Sequence, residues 1–263
     1  MTRDFVEADW LASRLGNVRV RVVDARSVPH GGAVQMPPGR EQYAAGHIPG
    51  AVHLDYADDL SDPSTPYAAR VAPPELFARV MGEHGIGDDS IVVAYDAGTI
   101  PFAARIVWML RYYGHDGSYV LAGGLPAWTA AGHALSTEPP NVVQTAFTPR
   151  AIRSLRASRD EVVDIAEGRS DVQLVETQRD QTYAQRDRDI QGAVRLSGNL
   201  LLEDARGGRI ANAATLDALV RDAGLNPHAR TVPILGARHS RYTTPTIVVA
   251  VPAMRTRLST AVS

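Results

Sequence analysis

Apolar positions along this chain fall into short aliphatic runs separated by longer stretches with helical spacing. Val18–Val23 (VRVRVV) is β-rich and ends at Asp24-Ala25-Arg26, so it predicts a strand and the loop after it. Pro29–Gly39 is too rich in Gly and Pro for regular structure, and Gly46–Leu54 reads as a turn entering a second strand. Glu75–His84 carries apolar residues at helical spacing and stops at Gly85. Ile91–Tyr95 (IVVAY) is almost wholly apolar, as a parallel strand buried on both faces requires. The spacing then predicts a helix over Phe102–Tyr113, a strand over Tyr119–Ala122 and a helix around Pro126–Ala131. After Gly132–Thr148, which has the character of a linker, come a helix over Ser158–Gly168, a strand over Val172–Val175 and a helix over Thr215–Ala223. Ser158 followed by Glu161 is a capping-box pattern. Strands alternating with helices of these lengths imply an α/β fold with a parallel sheet flanked by helices.

The pattern occurs twice. Residues 75–96 align without a gap onto 214–235, and Gly46–Ala51 (GHIPGA) onto Arg188–Ala193 (RDIQGA), with Asp24 falling opposite Glu176. A repeat this long means a duplicated domain, not a solenoid. The expected division is a first domain over 1–138, a linker over 139–150 and a second domain over 151–263, altered after about residue 230.

Composition narrows the chemistry. With 44% hydrophobic residues in 263 a packed core is expected, and a net charge of −2 gives no reason to expect a nucleic-acid or anionic-membrane partner. No apolar run approaches the length of a membrane span and no secretory leader is visible, so a cytoplasmic location is the default expectation. The eight His residues show no HExxH or paired spacing, so no metal is expected, and no G-x-S-x-G marks a serine hydrolase elbow. The chain contains no Cys, which excludes disulfides and every mechanism that uses a cysteine nucleophile.

Asp24-Ala25-Arg26, GHIPGA at Gly46–Ala51, the helix and strand of 75–96, YYGH at Tyr112–His115 and LAGGLPAW at Leu121–Trp128 together resemble the tandem-rhodanese family, the thiosulfate and 3-mercaptopyruvate sulfurtransferases. The resemblance covers roughly residues 4–230 and implies two rhodanese domains. The first is structural and carries an Asp at the loop position, as Asp96 does. The second supplies a cysteine after its central strand, which takes sulfane sulfur as a persulfide. No cofactor is implied. The implied partner is a small sulfur anion, thiosulfate or 3-mercaptopyruvate, and the protein is expected to be a monomer.

At the family's cysteine position this chain has Leu235. Leucine offers no lone pair to a sulfane sulfur, and Ser240, five residues on, is a poor persulfide carrier. In the second half Glu176 stands for the usual Asp and Gln178 for the usual Arg, and Thr182 lies near the family's active-site arginine position; Arg179, Arg186 and Arg188 could substitute in charge. Pro233 falls inside what should be a central strand, where a missing N–H is expected to break the ladder. Trp128 lies 32 residues past Asp96, and a counterpart as far past Leu235 would fall beyond residue 263. The loop Gly236-Ala237-Arg238-His239-Ser240-Arg241 could bind an anion or a partner through Arg238, His239 and Arg241, or be a solvated basic tail. Three readings therefore stand: a non-catalytic homologue, an active sulfurtransferase whose C-terminal sequence is obscured by a reading-frame change, and a binding module. Asp24 and Arg26 read as structural or as relics of a catalytic loop, and His47 as fixing the turn before Pro49.

Overall fold

The computed structural model describes residues 4–28, 37–65, 70–98, 101–177, 191–203 and 209–234. The chain divides into two compact units, Met1–Ile152 with Arg206–Arg209, and Arg153–Ala205 with Ile210–Ser263.

The first unit runs β1 (Phe5–Val6), α1 (Ala8–Ala12), β2 (Val20–Asp24), α2 (Gly39–Ala45), β3 (Val52–His53), α3 (Pro74–Glu83), β4 (Ile91–Tyr95), α4 (Pro101–Tyr112), β5 (Ser118–Leu121) and α5 (Gly124–Ala130). Its five strands pair in the order β1-β5-β4-β2-β3, every pair parallel. The aliphatic run of β4 sits at the centre, where both faces are covered and alternation of polar residues is not required. On one face Val93 and Tyr95 pack with Val20, Val22, Leu11, Ile48, Leu121 and Trp128. Helix α4 packs against β4 and β5, and Phe77 and Met81 of α3 and Ile106, Met109 and Leu110 of α4 are fully buried.

The segment read as a linker is held to this unit over much of its length. Thr145 N donates to Gly82 O (3.1 Å), Thr148 N to the Asp88 carboxylate (2.7 Å), and Arg150 N to Tyr113 O (2.9 Å). Phe147 is buried edge-on against Phe77. Thus the YYGH motif and the end of α3 form a docking floor for residues 145–150, which a sequence without helical or strand periodicity does not reveal.

The second unit contains a 3₁₀ turn (Arg153–Leu155), α6 (Arg159–Ala166), β6 (Gln173–Glu176), β7 (Ala193–Arg195), α7 (Ala213–Asp222) and β8 (Thr231–Ile234). Helix α6 begins as its capping pattern requires, with Ser158 Oγ accepting from Glu161 N at 3.1 Å. Helix α7 is capped by Asn212, whose Oδ1 accepts from Thr215 N at 3.0 Å. The described strands form a parallel sheet in the order β7-β6-β8.

This sheet reproduces part of the first. Asp24 lies opposite Tyr95 and His53 in the five-stranded sheet, and Glu176 lies opposite Ile234 and Arg195 in the three-stranded one. Those pairs are the ones the sequence repeat brings into correspondence. Helix α3 likewise spans the counterpart of α7 residue for residue.

The expectation that Pro233 breaks the ladder is corrected by the register. Pro233 pairs with Val175 in an intact parallel strand. Gln173 N donates to Arg230 O (2.9 Å), so the alternation of a parallel ladder points the nitrogens of Val232 and Ile234 at β6 and those of Thr231 and Pro233 away from it. No β6 carbonyl therefore loses a donor. In the first unit the outward positions are used: Val92 N donates to Gly117 O (2.8 Å), and Ala94, the match of Pro233, lies opposite Val120 of β5. A proline at this position is compatible with the β6 side of the strand and withholds a donor from the other.

Candidate functional site

Three strand ends meet at the carboxyl edge of the first sheet, the edge at which open parallel sheets bind ligands: Asp24 closes β2, His53 closes β3, and Asp96 follows β4. The Asp24 carboxylate has no solvent exposure. It accepts from Arg26 Nε (3.0 Å to each oxygen), from Arg26 Nη2 (2.5 Å), from the Arg26 backbone N–H (3.0 Å) and from the Tyr95 hydroxyl (2.7 Å). Arg26 Nη2 also donates to Gly46 O (2.7 Å), and the Tyr95 oxygen accepts from Ile48 N (3.1 Å). The GHIPGA turn is thereby tied at two points to the end of β2. His53 Nε2 donates to Arg26 O (3.0 Å), which fixes that nitrogen as the protonated one because a carbonyl can only accept. Gly39 makes the arrangement possible, since a Cβ there would lie 1.9 Å from Arg26 O.

The electrostatics derive from burial and pairing. Burial alone would lower the Arg26 pKa, but the hydrogen bonds and charge of Asp24, helped by Tyr95, raise it above the usual arginine range. The Tyr95 phenol is pushed far above its ordinary value, first by burial and then by the neighbouring Asp24 charge, so it stays a neutral donor. A buried, fully hydrogen-bonded ion pair of this kind is a structural clamp whose oxygens have no capacity left for a substrate.

Asp96 occupies the loop between β4 and α4. Its Oδ1 accepts from Gly98 N (2.9 Å) and its Oδ2 from Phe102 N (3.2 Å) and Ala103 N (3.4 Å). The first-turn N–H groups of α4 and the positive end of its dipole therefore face a carboxylate supplied by the chain itself. Gly123-Gly124 close the loop from the other side. Leu125 N donates to Asp96 O (2.9 Å), and a Cβ on Gly124, at φ +57°, would lie 2.5 Å from Asp96 O and 2.7 Å from Gly98 N. The GGLPAW motif thus stands in contact with the loop because only a bare Cα fits there.

In the second unit Glu176 is buried at the end of β6, beside Arg195 in register, and Ile234 ends β8. Ile234 stands where Tyr95 does, and isoleucine has no hydroxyl to bridge the acidic residue to the turn. Gln178, Thr182, Leu235 and the loop Gly236–Arg241, including Arg238, His239, Ser240 and Arg241, lie outside the described residues, as do Arg179, Arg186 and Arg188. Among the described residues no group of three or more acidic or histidine side chains could hold a metal ion, and no helix is long and apolar enough to cross a membrane.

Sequence reasoning missed Tyr95, His53, Gly39 and Gly124. A polar-tipped tyrosine closing an otherwise aliphatic strand was the available signal for the first.

A parallel sheet flanked by helices is the architecture of the rhodanese fold. Residues 7–131 match the rhodanese-like domain family, so the first unit carries a rhodanese-like domain. The chain is 34% identical over 179 residues to the 3-mercaptopyruvate sulfurtransferase of Escherichia coli, covering 63% of this chain and 60% of that protein. It is 32% identical over 187 residues to the thiosulfate sulfurtransferase of Bos taurus, covering 69% and 61%. The chain thus spans about three fifths of the length of these curated relatives. The crystal structure of a 3-mercaptopyruvate sulfotransferase from Escherichia coli superposes with a TM-score of 0.78 at 26% identity, over 87% of each chain.

Proposed function

We propose that this protein is a two-domain rhodanese homologue, 1–138 and 151–263 joined by 139–150, that does not itself transfer sulfane sulfur. The observation that carries this reading is the residue after β8. The sequence repeat sets Leu235 opposite Asp96, where the family resemblance puts its cysteine, and no cysteine stands anywhere in the chain. Sulfane transfer needs an atom that attacks the outer sulfur of the donor, holds it as a persulfide and releases it to an acceptor. A thiolate does this, while an alkyl side chain has no electron pair to give. The first unit offers no substitute, because its equivalent seat is filled by the Asp96 carboxylate. The test is turnover by the purified chain with thiosulfate or 3-mercaptopyruvate as donor and cyanide or a thiol as acceptor. The expected rate equals the protein-free blank, and turnover that tracks the protein through purification would overturn the reading.

A second reading is favoured by one observation. The registers agree with the first unit through Ile234, yet Pro233 withholds the donor that the first unit uses toward β5. A reading-frame change near codon 230 would leave the upstream repeat intact and replace every residue downstream of it. Nucleotide sequencing across codons 225–263, translated in three frames, separates the two. A cysteine codon at 235 in another frame would mark a working sulfurtransferase gene, and a confirmed frame would leave the non-catalytic homologue.

A further inference from the structure

Arg153, Arg156 and Arg159 stand close together at the start of the second unit, and all three are exposed. Arg150, one step earlier at the same spacing, belongs to the first unit, where its charge acts on Asp88. The three themselves make no side-chain hydrogen bond or ion pair among the described residues. A shortage of carboxylates is not the cause, since the chain holds 29 acidic residues against 27 basic ones. Other surface arginines are engaged: Arg40 with Asp59 (2.5 Å), Arg79 with Glu83 (3.1 Å), Arg111 with Asp4 (2.8 Å) and Arg209 with Glu7 (3.0 Å). The acidic residues that follow on α6 are committed elsewhere, Glu161 to Arg230 and Asp164 to Arg169. Asp160 adjoins Arg159 in the helix, and residues one apart do not face each other there.

The segment beneath these side chains is held by its other atoms. Ala157 is buried with Val162, Ile165, Leu174 and Val232, Arg156 N donates to Arg153 O (3.1 Å), and Arg230 Nη2 donates to Ser154 O (3.5 Å). The three cations thus sit on a preorganised backbone, which spares a ligand the cost of ordering it. Three residues of 3₁₀ turn advance about 6 Å and three extended ones about 10 Å, so the run covers at most about 16 Å, the length of about five extended residues.

We propose that Arg153, Arg156 and Arg159 form a docking surface for a short acidic segment of a partner protein, extended and carrying two or three carboxylates. The planar fork of arginine takes a carboxylate through two parallel N–H···O bonds, so each position reads geometry as well as charge. Two features select a short segment over a nucleic acid or an anionic bilayer. The whole chain is negative, at −2, in spite of this run. The run also gives way at once to the acidic first turn of α6, Asp160 and Glu161. An extended phosphate surface meets those carboxylates within the roughly 8 Å over which charges act at physiological salt, whereas a short segment ends at the patch.

The experiment is fluorescence anisotropy of a labelled hexapeptide, Asp and Glu alternating with Ser, titrated with the full chain. Saturable binding is expected at about 20 mM salt, weakening at about 300 mM. Each single substitution, Arg153→Gln, Arg156→Gln or Arg159→Gln, is expected to weaken it about two- to fivefold, and the three together about tenfold or more. Replacing all three by Lys keeps the charge without the fork, and is expected to give binding between parent and triple Gln variant. Arg79→Gln, at an exposed arginine elsewhere, is expected to leave binding unchanged. Absence of saturable binding at the lower salt, or equal binding by the triple Gln variant, would overturn the proposal. So would tighter binding of a single-stranded oligonucleotide, or of vesicles containing phosphatidylserine, than of the peptide. If the triple variant fails to fold, the three single substitutions at these exposed positions decide the question.

Discussion

Replacing Asp96 by alanine removes the carboxylate that accepts from Gly98 N, Phe102 N and Ala103 N, and it does so at a residue that is 1% exposed. Losing a side-chain cap of a helix N-terminus costs about 0.5–2 kcal/mol. Leaving a buried N–H without an acceptor costs about 1–3 kcal/mol more, reduced if water enters the space vacated. A net loss of about 3 kcal/mol is expected, or roughly 6–12 °C in the melting temperature of a unit of this size. The assay is specific to the first unit, because all three tryptophans, Trp10, Trp108 and Trp128, lie in it. Urea unfolding monitored by tryptophan fluorescence reads that unit without the other. The vacated seat has a second signature. Inorganic sulfate binds at helix N-termini for the same reasons that Asp96 does, so it is expected to recover more stability in Asp96→Ala than in the parent. Comparing the two removes the general salting-in or salting-out effect of the anion. A loss below about 0.5 kcal/mol, or equal responses of parent and variant to sulfate, would refute the claim that this carboxylate fills an anion seat.

Other predictions concern the same edge and its supports. Tyr95→Phe deletes a hydroxyl that donates to Asp24 and accepts from Ile48 N, and is expected to cost about 2–4 kcal/mol in the same unfolding assay. Gly124→Ala introduces a Cβ against Asp96 O and Gly98 N, backbone atoms that cannot swing aside, and is expected to cost about 2–4 kcal/mol, whereas Gly16→Ala, with nothing within 4 Å but φ +88°, should cost about 1 kcal/mol. His115 is buried and its pKa is lowered, chiefly by burial, against smaller opposing effects of backbone hydrogen bonds and Asp88. Its stabilisation is therefore present above the unfolded value near 6.5 and is lost as pH falls through the lowered folded value. His115→Asn should flatten the acid limb of stability below about pH 6.5, and an unchanged acid limb would contradict this sign.

Elements of both units were legible where their signals are local and redundant. IVVAY announced a central strand, the spacing of 75–84 announced α3, and Ser158 with Glu161 announced the start of α6, each through side chains a few residues apart. What was not legible depends on groups distant in sequence. The Asp24–Tyr95 hydrogen bond spans 71 residues, and the docking of residues 145–150 against α3 and Tyr113 leaves no periodic trace in either partner. Pro233 was misjudged for a related reason. Whether a proline breaks a parallel ladder depends on which neighbour its nitrogen faces, and that parity is set by the register with β6, not by the strand's own residues. The short α1 and α2 escaped notice because helices of five and seven residues carry less than two full turns of pattern. At the candidate site the absence of cysteine was plain from the residues alone, while the hold of Gly98 N, Phe102 N and Ala103 N on the Asp96 carboxylate needed the fold.

Whether this chain carries a sulfur-accepting atom is tested most directly by intact-protein mass spectrometry after exposure to excess thiosulfate or 3-mercaptopyruvate and then to cyanide. An unchanged mass is expected, with no thiocyanate released from the protein. A mass increase of one sulfur atom that cyanide removes as thiocyanate would contradict the non-catalytic reading, and would require a sulfur carrier other than cysteine in this sequence.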